Sequence, residues 1–145
     1  MSIWRSLRTL EELNGSRDGT LIENLGILFT EIGDDFVRGT MPVDSRTLQP
    51  YGLLHGGASV ALAETLGSMG AAMCLDAAEY QVVGQEINAN HVRVARSGLV
   101  TGTARAVHLG GRTQVWSIEI VNDAQKLVCI SRITMAVIKR GALGS

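Results

Sequence analysis

The chain has 145 residues, 46% of them apolar and 19% charged, with a formal net charge of −1. That length suits one domain with a sizeable core, and so small a charge gives no general attraction to nucleic acid or to an anionic membrane surface. Two prolines and no low-complexity run argue against disorder in the body of the chain. A single domain is expected over 1–140, with "GALGS" at 141–145 as a disordered tail.

In chain order, "SLRTLEELNG" sets Leu7, Leu10 and Leu13 at spacing three, with Glu11 and Glu12 opposite and Gly15 as a stop. This predicts a short amphipathic helix. "TLIENLG" predicts a second helical turn ended by Gly26. "ILFTEIG" and "FVRGTMPV" read as two strands joined by Gly33, Asp34 and Asp35. The first fifteen residues contain no apolar run of signal-peptide length, so a cytoplasmic location is expected.

A turn-rich loop, "DSRTLQPYGLLHGG", leads into an Ala-rich helix predicted from about Gly57 to Leu75. The helix is apolar nearly all round, so other elements should wrap it. Gly67 and Gly70 each cost it about 1 kcal/mol relative to Ala, which suggests a backbone or a ligand passing close by. Four strands follow at about 81–95, 98–107, 113–122 and 126–139. In "RTQVWSIEIV", Trp116, Ile118 and Ile120 share one face while Thr113, Ser117 and Glu119 share the other. "KLVCISRITMAVI" is apolar on both faces, as an interior strand would be. Cys74 and Cys129 fit no metal or redox spacing and read as buried free thiols. No nucleotide-binding glycine motif occurs, because "HLGGR" joins two strands. The order predicts an α+β fold, an antiparallel sheet curled around one central helix.

Glu64 is the single charge in the stretch from Tyr51 to Met73. In a buried helix an ionised carboxylate loses its hydration, which favours the neutral form unless donors compensate. It is either a structural carboxylate paired with an Arg or a neighbouring chain, or a group poised as base or nucleophile. Ser68 lies at i+4 on the same face. "HGG" falls at the helix start, where free amides and the dipole favour negative charge. The pair Gly56–Gly57 is either a plain capping turn or a place where a ligand approaches backbone closely enough to polarise a carbonyl. Glu64 lies about 11 Å beyond that start at the helical rise, too far for one chain to join both groups. A two-fold dimer could join them.

The strings "MPVDSRTLQPYGLLHGGASVALAETLGSMGA", "VVGQEINANHVR" and "HLGGRTQVW" strongly resemble the hotdog-fold acyl-CoA thioesterases, and the similarity runs from about Trp4 to Ile138. Within that family the nearest groups are the 1,4-dihydroxy-2-naphthoyl-CoA hydrolases of menaquinone synthesis and the enterobactin proofreading thioesterases. The resemblance implies a homotetramer made as a dimer of dimers with active sites shared across the dimer interface. It implies hydrolysis of an aryl or acyl thioester of coenzyme A, or of a carrier protein, with no metal or other cofactor. Glu64 would be nucleophile or general base, the Gly56 amide would polarise the carbonyl, and His55 and Gln49 would position that carbonyl or the water. Ser68 would orient the acyl group or the water. The substrate and its coenzyme A would lie along Val83, Gly84, Asn90, His91 and Arg93, with His108, Leu109, Gly110 and Arg112 of the "HLGGR" loop. Two departures stand out: Gly111 comes between "HLG" and its Arg, and Val94 replaces a Pro common after His-x-Arg. A hotdog hydratase and a non-enzymatic acyl-CoA-binding domain are the competing functions.

Overall fold

A computed structural model describes residues 1–144. Two short helices come first, α1 (Leu10–Gly15) and α2 (Leu21–Asn24). Then come the strands β1 (Leu28–Ile32) and β2 (Phe36–Pro42), the long helix α3 (Gly56–Met73), and β3 (Tyr80–His91), β4 (Leu99–Leu109), β5 (Thr113–Val121) and β6 (Leu127–Lys139). The strands form one six-stranded sheet in the order β1-β2-β4-β5-β6-β3, antiparallel at every pairing. The expected α+β architecture is the one found.

The sheet seats α3 through glycines on both sides of the contact. Gly39 and Gly102 pair across β2 and β4, and a Cβ on either would come within 2.8 Å of Leu66. Their absent side chains leave a trough for Leu62 and Leu66, both fully buried, each worth about 1.5–3 kcal/mol in transfer terms. On the helix, a Cβ at Gly67 would meet Ile133 Cγ2 and one at Gly70 the Trp116 ring, each at 2.7 Å. Side chains of the sheet, and neither a backbone nor a ligand, are therefore what those two helical glycines admit.

Wrapping of α3 is one-sided. Its sheet-facing residues are buried, whereas Val60, Ala61, Glu64, Thr65, Ser68, Met69 and Ala72 stay half-exposed. The outer face of β6 is likewise open at Ile130 and Arg132. The N-terminal segment closes the far end of the helix. Arg5 and Ser6 donate their N–H groups to the Met73 carbonyl at 2.9 and 3.0 Å, and the Ser6 hydroxyl donates to the Leu75 carbonyl at 2.7 Å. These bonds satisfy carbonyls that a helix end leaves without partners. Trp4 donates its Nε1–H to the Gly33 carbonyl at 2.7 Å and stacks on Trp116 at 6.2 Å.

Several boundaries differ from the sequence reading. α1 begins at Leu10 and leaves Leu7 exposed, because Thr9 and Glu12 make a reciprocal capping box. β3 stops at His91 rather than 95: the N–H groups of Val92 and Arg93 both turn to the Val128 carbonyl, and Val92 and Val94 leave the sheet. A bulge at Gly84–Glu86 also interrupts β3. It switches the strand's inward face, so Val82 packs on the core before it and Ile87 and Ala89 after it. The expected tail begins as a turn over residues 140–143, and Ser145 lies outside the described residues.

Candidate active site

The start of α3 is built by its own cap. His55, in extended conformation, accepts the Gly57 N–H on Nδ1 at 2.8 Å. The His55 carbonyl takes the N–H groups of Ala58 and Ser59. Gly56, the first helical residue, keeps an N–H with no acceptor among the described residues, at the positive end of the helix dipole. The two glycines therefore differ: Gly57 serves the cap and Gly56 offers the free donor. With Nδ1 occupied, the neutral His55 ring carries its proton on Nε2.

Around that amide lies a cleft of about 340 Å³ lined by Gln49, Leu53, Leu54, Gly56, Ser59, His91, Val92, Arg93, Val94 and Val128. Buried Thr47 holds the loop that forms one wall, donating from Oγ1 to the Pro42 carbonyl at 2.7 Å and accepting the His55 N–H on its own carbonyl at 2.8 Å. Gln49 Oε1 accepts the Tyr51 N–H, which leaves the Gln49 amide NH₂ as a donor for the cleft. His91 crosses over the helix start, for a Cβ at Gly56 would sit 2.7 Å from His91 Nε2. Arg93 Nε donates to the Leu127 carbonyl at 3.3 Å, which fixes its stem beside the cleft.

Glu64 stands elsewhere. It is eight residues beyond Gly56, about 12 Å along the axis, and lines a separate cavity of about 200 Å³ with Gly84, Gln85, Glu86, Ile87 and Ile133. Its carboxylate rests against Gly84, where a Cβ would meet Oε1 at 2.6 Å. It forms no ion pair among the described residues. The sequence reading treated Glu64 as enclosed by the core, but within one chain it is only half-buried, since this flank of α3 is the uncovered one. Ser68, a turn later, makes only a weak contact to Met135 Sδ at 3.8 Å, so its hydroxyl can turn to another partner. Glu86 borders the Glu64 cavity through its place in the chain, but its carboxylate accepts from Asn88 Nδ2 at 3.1 Å on the outer face of β3.

The remaining candidates scatter. Leu109 and Gly110 line a third cavity of about 300 Å³ at the opposite end of α3, with Arg5, Cys74, Asp76, Tyr80 and Gln114. His108 folds over Gly110, Arg112 is exposed, and nothing stands within 4 Å of a Cβ at the extra Gly111. Val83 and Asn90 point to the outer face of β3, opposite Gly84 and His91, by strand alternation on either side of the bulge. Burial raises both free thiols, Cys74 to about 11 and Cys129 in the same direction. Among the described residues, no helix is long and apolar enough to cross a membrane, and no three His, Cys, Asp or Glu side chains cluster to hold a metal.

An antiparallel sheet curled around one long helix, with a free amide at the helix start and a free carboxylate farther along, defines a hotdog domain equipped for carbonyl chemistry. Residues 51–129 match the family described as the thioesterase superfamily, and the chain belongs to it. It is 54% identical to the 1,4-dihydroxy-2-naphthoyl-CoA hydrolase of Escherichia coli over 94% of this chain and 99% of that one. It is 48% identical to the proofreading thioesterase EntH of Cronobacter sakazakii over 94% and 98%. A solved glutamine-to-alanine variant of thioesterase PA1618 from Pseudomonas aeruginosa superposes with a TM-score of 0.94 at 52% identity, covering 95% of this chain and 99% of that one. The protein is a thioester hydrolase.

Proposed function

We propose that this hydrolase acts on aryl thioesters of coenzyme A, 1,4-dihydroxy-2-naphthoyl-CoA among them, in active sites that two protomers build together. The observation that carries the shared site is its division into two incomplete halves. One half is the Glu64 carboxylate beside Gly84, and the other is the free Gly56 N–H beside His91, with Gln49 and His55. β3 is a long edge strand, unpaired on one side among the described residues. It runs antiparallel to α3, with Gly84 at Glu64 and His91 at Gly56. An antiparallel β3–β3 pairing that sets Gly84 beside the partner's His91 therefore also sets Glu64 beside the partner's Gly56. The same contact covers the open flank of α3 and removes an exposed edge.

In this reading the thioester oxygen accepts the Gly56 N–H of one protomer. Glu64 of the other attacks the carbonyl carbon or takes the proton of an attacking water. The Gln49 NH₂ and His55 Nε2–H hold the carbonyl or that water, and the Ser68 hydroxyl adjusts to either. Arg93 and the "HLGGR" loop lie at opposite ends of α3, so both reach one coenzyme A only if different protomers supply them. Identity to the E. coli hydrolase over nearly the whole chain supports the aromatic acyl group. Identity to EntH keeps a carrier-protein thioester as the second reading. A kinetic panel of aryl-CoA and alkyl-CoA thioesters with an aryl-carrier protein, read by thiol release, tests both. The expected outcome is the highest kcat/KM for aryl-CoA. Preference for the carrier protein selects the second reading, and preference for alkyl-CoA removes the aromatic assignment.

A further inference from the structure

Four amides open α3, and three are already engaged. Gly57 donates to the His55 ring, and Ala58 and Ser59 donate to the His55 carbonyl, which leaves Gly56 alone. An oxygen that gains negative charge during acyl transfer is held far better by two donors than by one, and removing a donor costs about 10²–10³ in rate. The nearest heavy atom to a Cβ built on Gly56, its own chain neighbours and helix backbone aside, is His91 Nε2. The His91 ring is exposed, lines the same cleft as the Gly56 amide, and has no hydrogen-bond partner among the described residues. It is aimed there by the β3 bulge, which turns the odd-numbered positions after Gly84 toward α3.

We infer that His91 Nε2–H is the second donor to the thioester oxygen bound at Gly56, which makes His91 a catalytic residue rather than a wall of the coenzyme A groove. The inference rests on the hydrolase reading above. Attack on the carbonyl carbon, by water or by the Glu64 carboxylate, moves the C=O π pair onto oxygen, where Gly56 N–H and His91 Nε2–H hold it. Collapse returns the oxygen pair to re-form the C=O bond and breaks the C–S bond, and the sulfur leaves with the C–S bonding pair as thiolate. His91 keeps its proton throughout. The two other free donors at this end of the helix, the Gln49 NH₂ and the His55 Nε2–H, then serve the attacking water and leave the carbonyl oxygen to Gly56 and His91. The His55 Nδ1 is turned to Gly57, Arg93 Nε is held by the Leu127 carbonyl, and Cys129, opposite on β6, is a buried thiol.

The test uses benzoyl-CoA, isotope-labelled at its carbonyl, bound to the Glu64→Gln protein and observed by difference infrared spectroscopy. The carbonyl stretch is expected to fall on binding. Adding His91→Ala should reverse part of that fall, and His91→Gln, which keeps a donor, should retain more of it. In the enzyme with Glu64 intact, His91→Ala should lower kcat roughly 10²-fold with KM changed less than about threefold. A carbonyl stretch indifferent to His91→Ala, or a loss confined to KM, overturns the inference and leaves the hydrolase reading standing. No carbonyl shift even with His91 present overturns the Gly56 reading as well.

Discussion

In the proposed site Glu64 and Gly84 act together, because the missing side chain of the glycine is what lets the carboxylate rest against β3. Glu64→Ala removes a half-exposed side chain with no ion-pair partner among the described residues, so the unfolding midpoint should hold while thiol release falls by roughly 10²–10⁴. Gly84→Ala separates position from presence. Its Cβ would intrude on Glu64 Oε1, the far end of a flexible side chain that yields at little cost in stability. Displacing the carboxylate by about an ångström is expected to lower kcat by up to about 10²-fold, with circular dichroism and melting unchanged. The thiols make a separate prediction. Burial holds Cys74 protonated up to about 11 and Cys129 in the same sense. Iodoacetamide at pH 8 should label neither in the native protein and both after unfolding. The raised folded value means ionisation favours the unfolded chain, so stability should decline as pH climbs from 9.0 toward about 11. Much of this scale was legible in advance: an isolated acid in an apolar helix and an HGG at its start are visible in the string. The partners of each group were not, because Gly84 and His91 meet them through a bulge that no local pattern announces.

At the scale of elements, packing between α3 and the sheet depends on side chains too small to interfere. Gly70→Ala improves helix propensity by about 1 kcal/mol but drives a methyl into the fully buried Trp116 ring. Overpacking of that kind costs about 1–3 kcal/mol, and Trp116 cannot retreat easily from the Trp4 stack. The expected result is a lower midpoint in chemical denaturation at unchanged m-value, roughly 1 kcal/mol net. A gain in stability would mean that the indole has somewhere to go. The helix, the hairpin of β1 and β2, and the four later strands were readable because period and turn residues are local properties. The place of β3 at the sheet edge was not, since pairing β3 with β6 brings together residues far apart in the chain, from His91 with Cys129 to Tyr80 with Lys139. The one-sided burial of α3 misled the expectation of full wrapping for a related reason: in a helix apolar nearly all round, the sequence does not mark which flank its own sheet leaves open.

The whole-molecule prediction follows from that flank. If each site takes Glu64 from one protomer and His55 with Gly56 from the other, two crippled proteins can repair each other. Glu64→Ala and His55→Ala, each inactive alone, should regain about a quarter of normal activity after co-expression, because half of the dimers are hybrid and each hybrid rebuilds one of its two sites. Sites contained within single chains would regain nothing. Separation of differently tagged hybrids before assay makes the count direct.

The N-terminal segment also has an optical consequence. The chain has two tryptophans, and they are stacked on each other, their rings 11° from parallel. One belongs to the segment that caps α3 and the other to the strand on which α3 rests. Indoles this close share their excited states, so the protein should show a paired positive and negative band in far-ultraviolet circular dichroism that no other part of the chain can produce. That signal disappears when the segment lifts away, even if every helix and strand persists. It would serve as a label-free gauge of how firmly α3 is held at its far end.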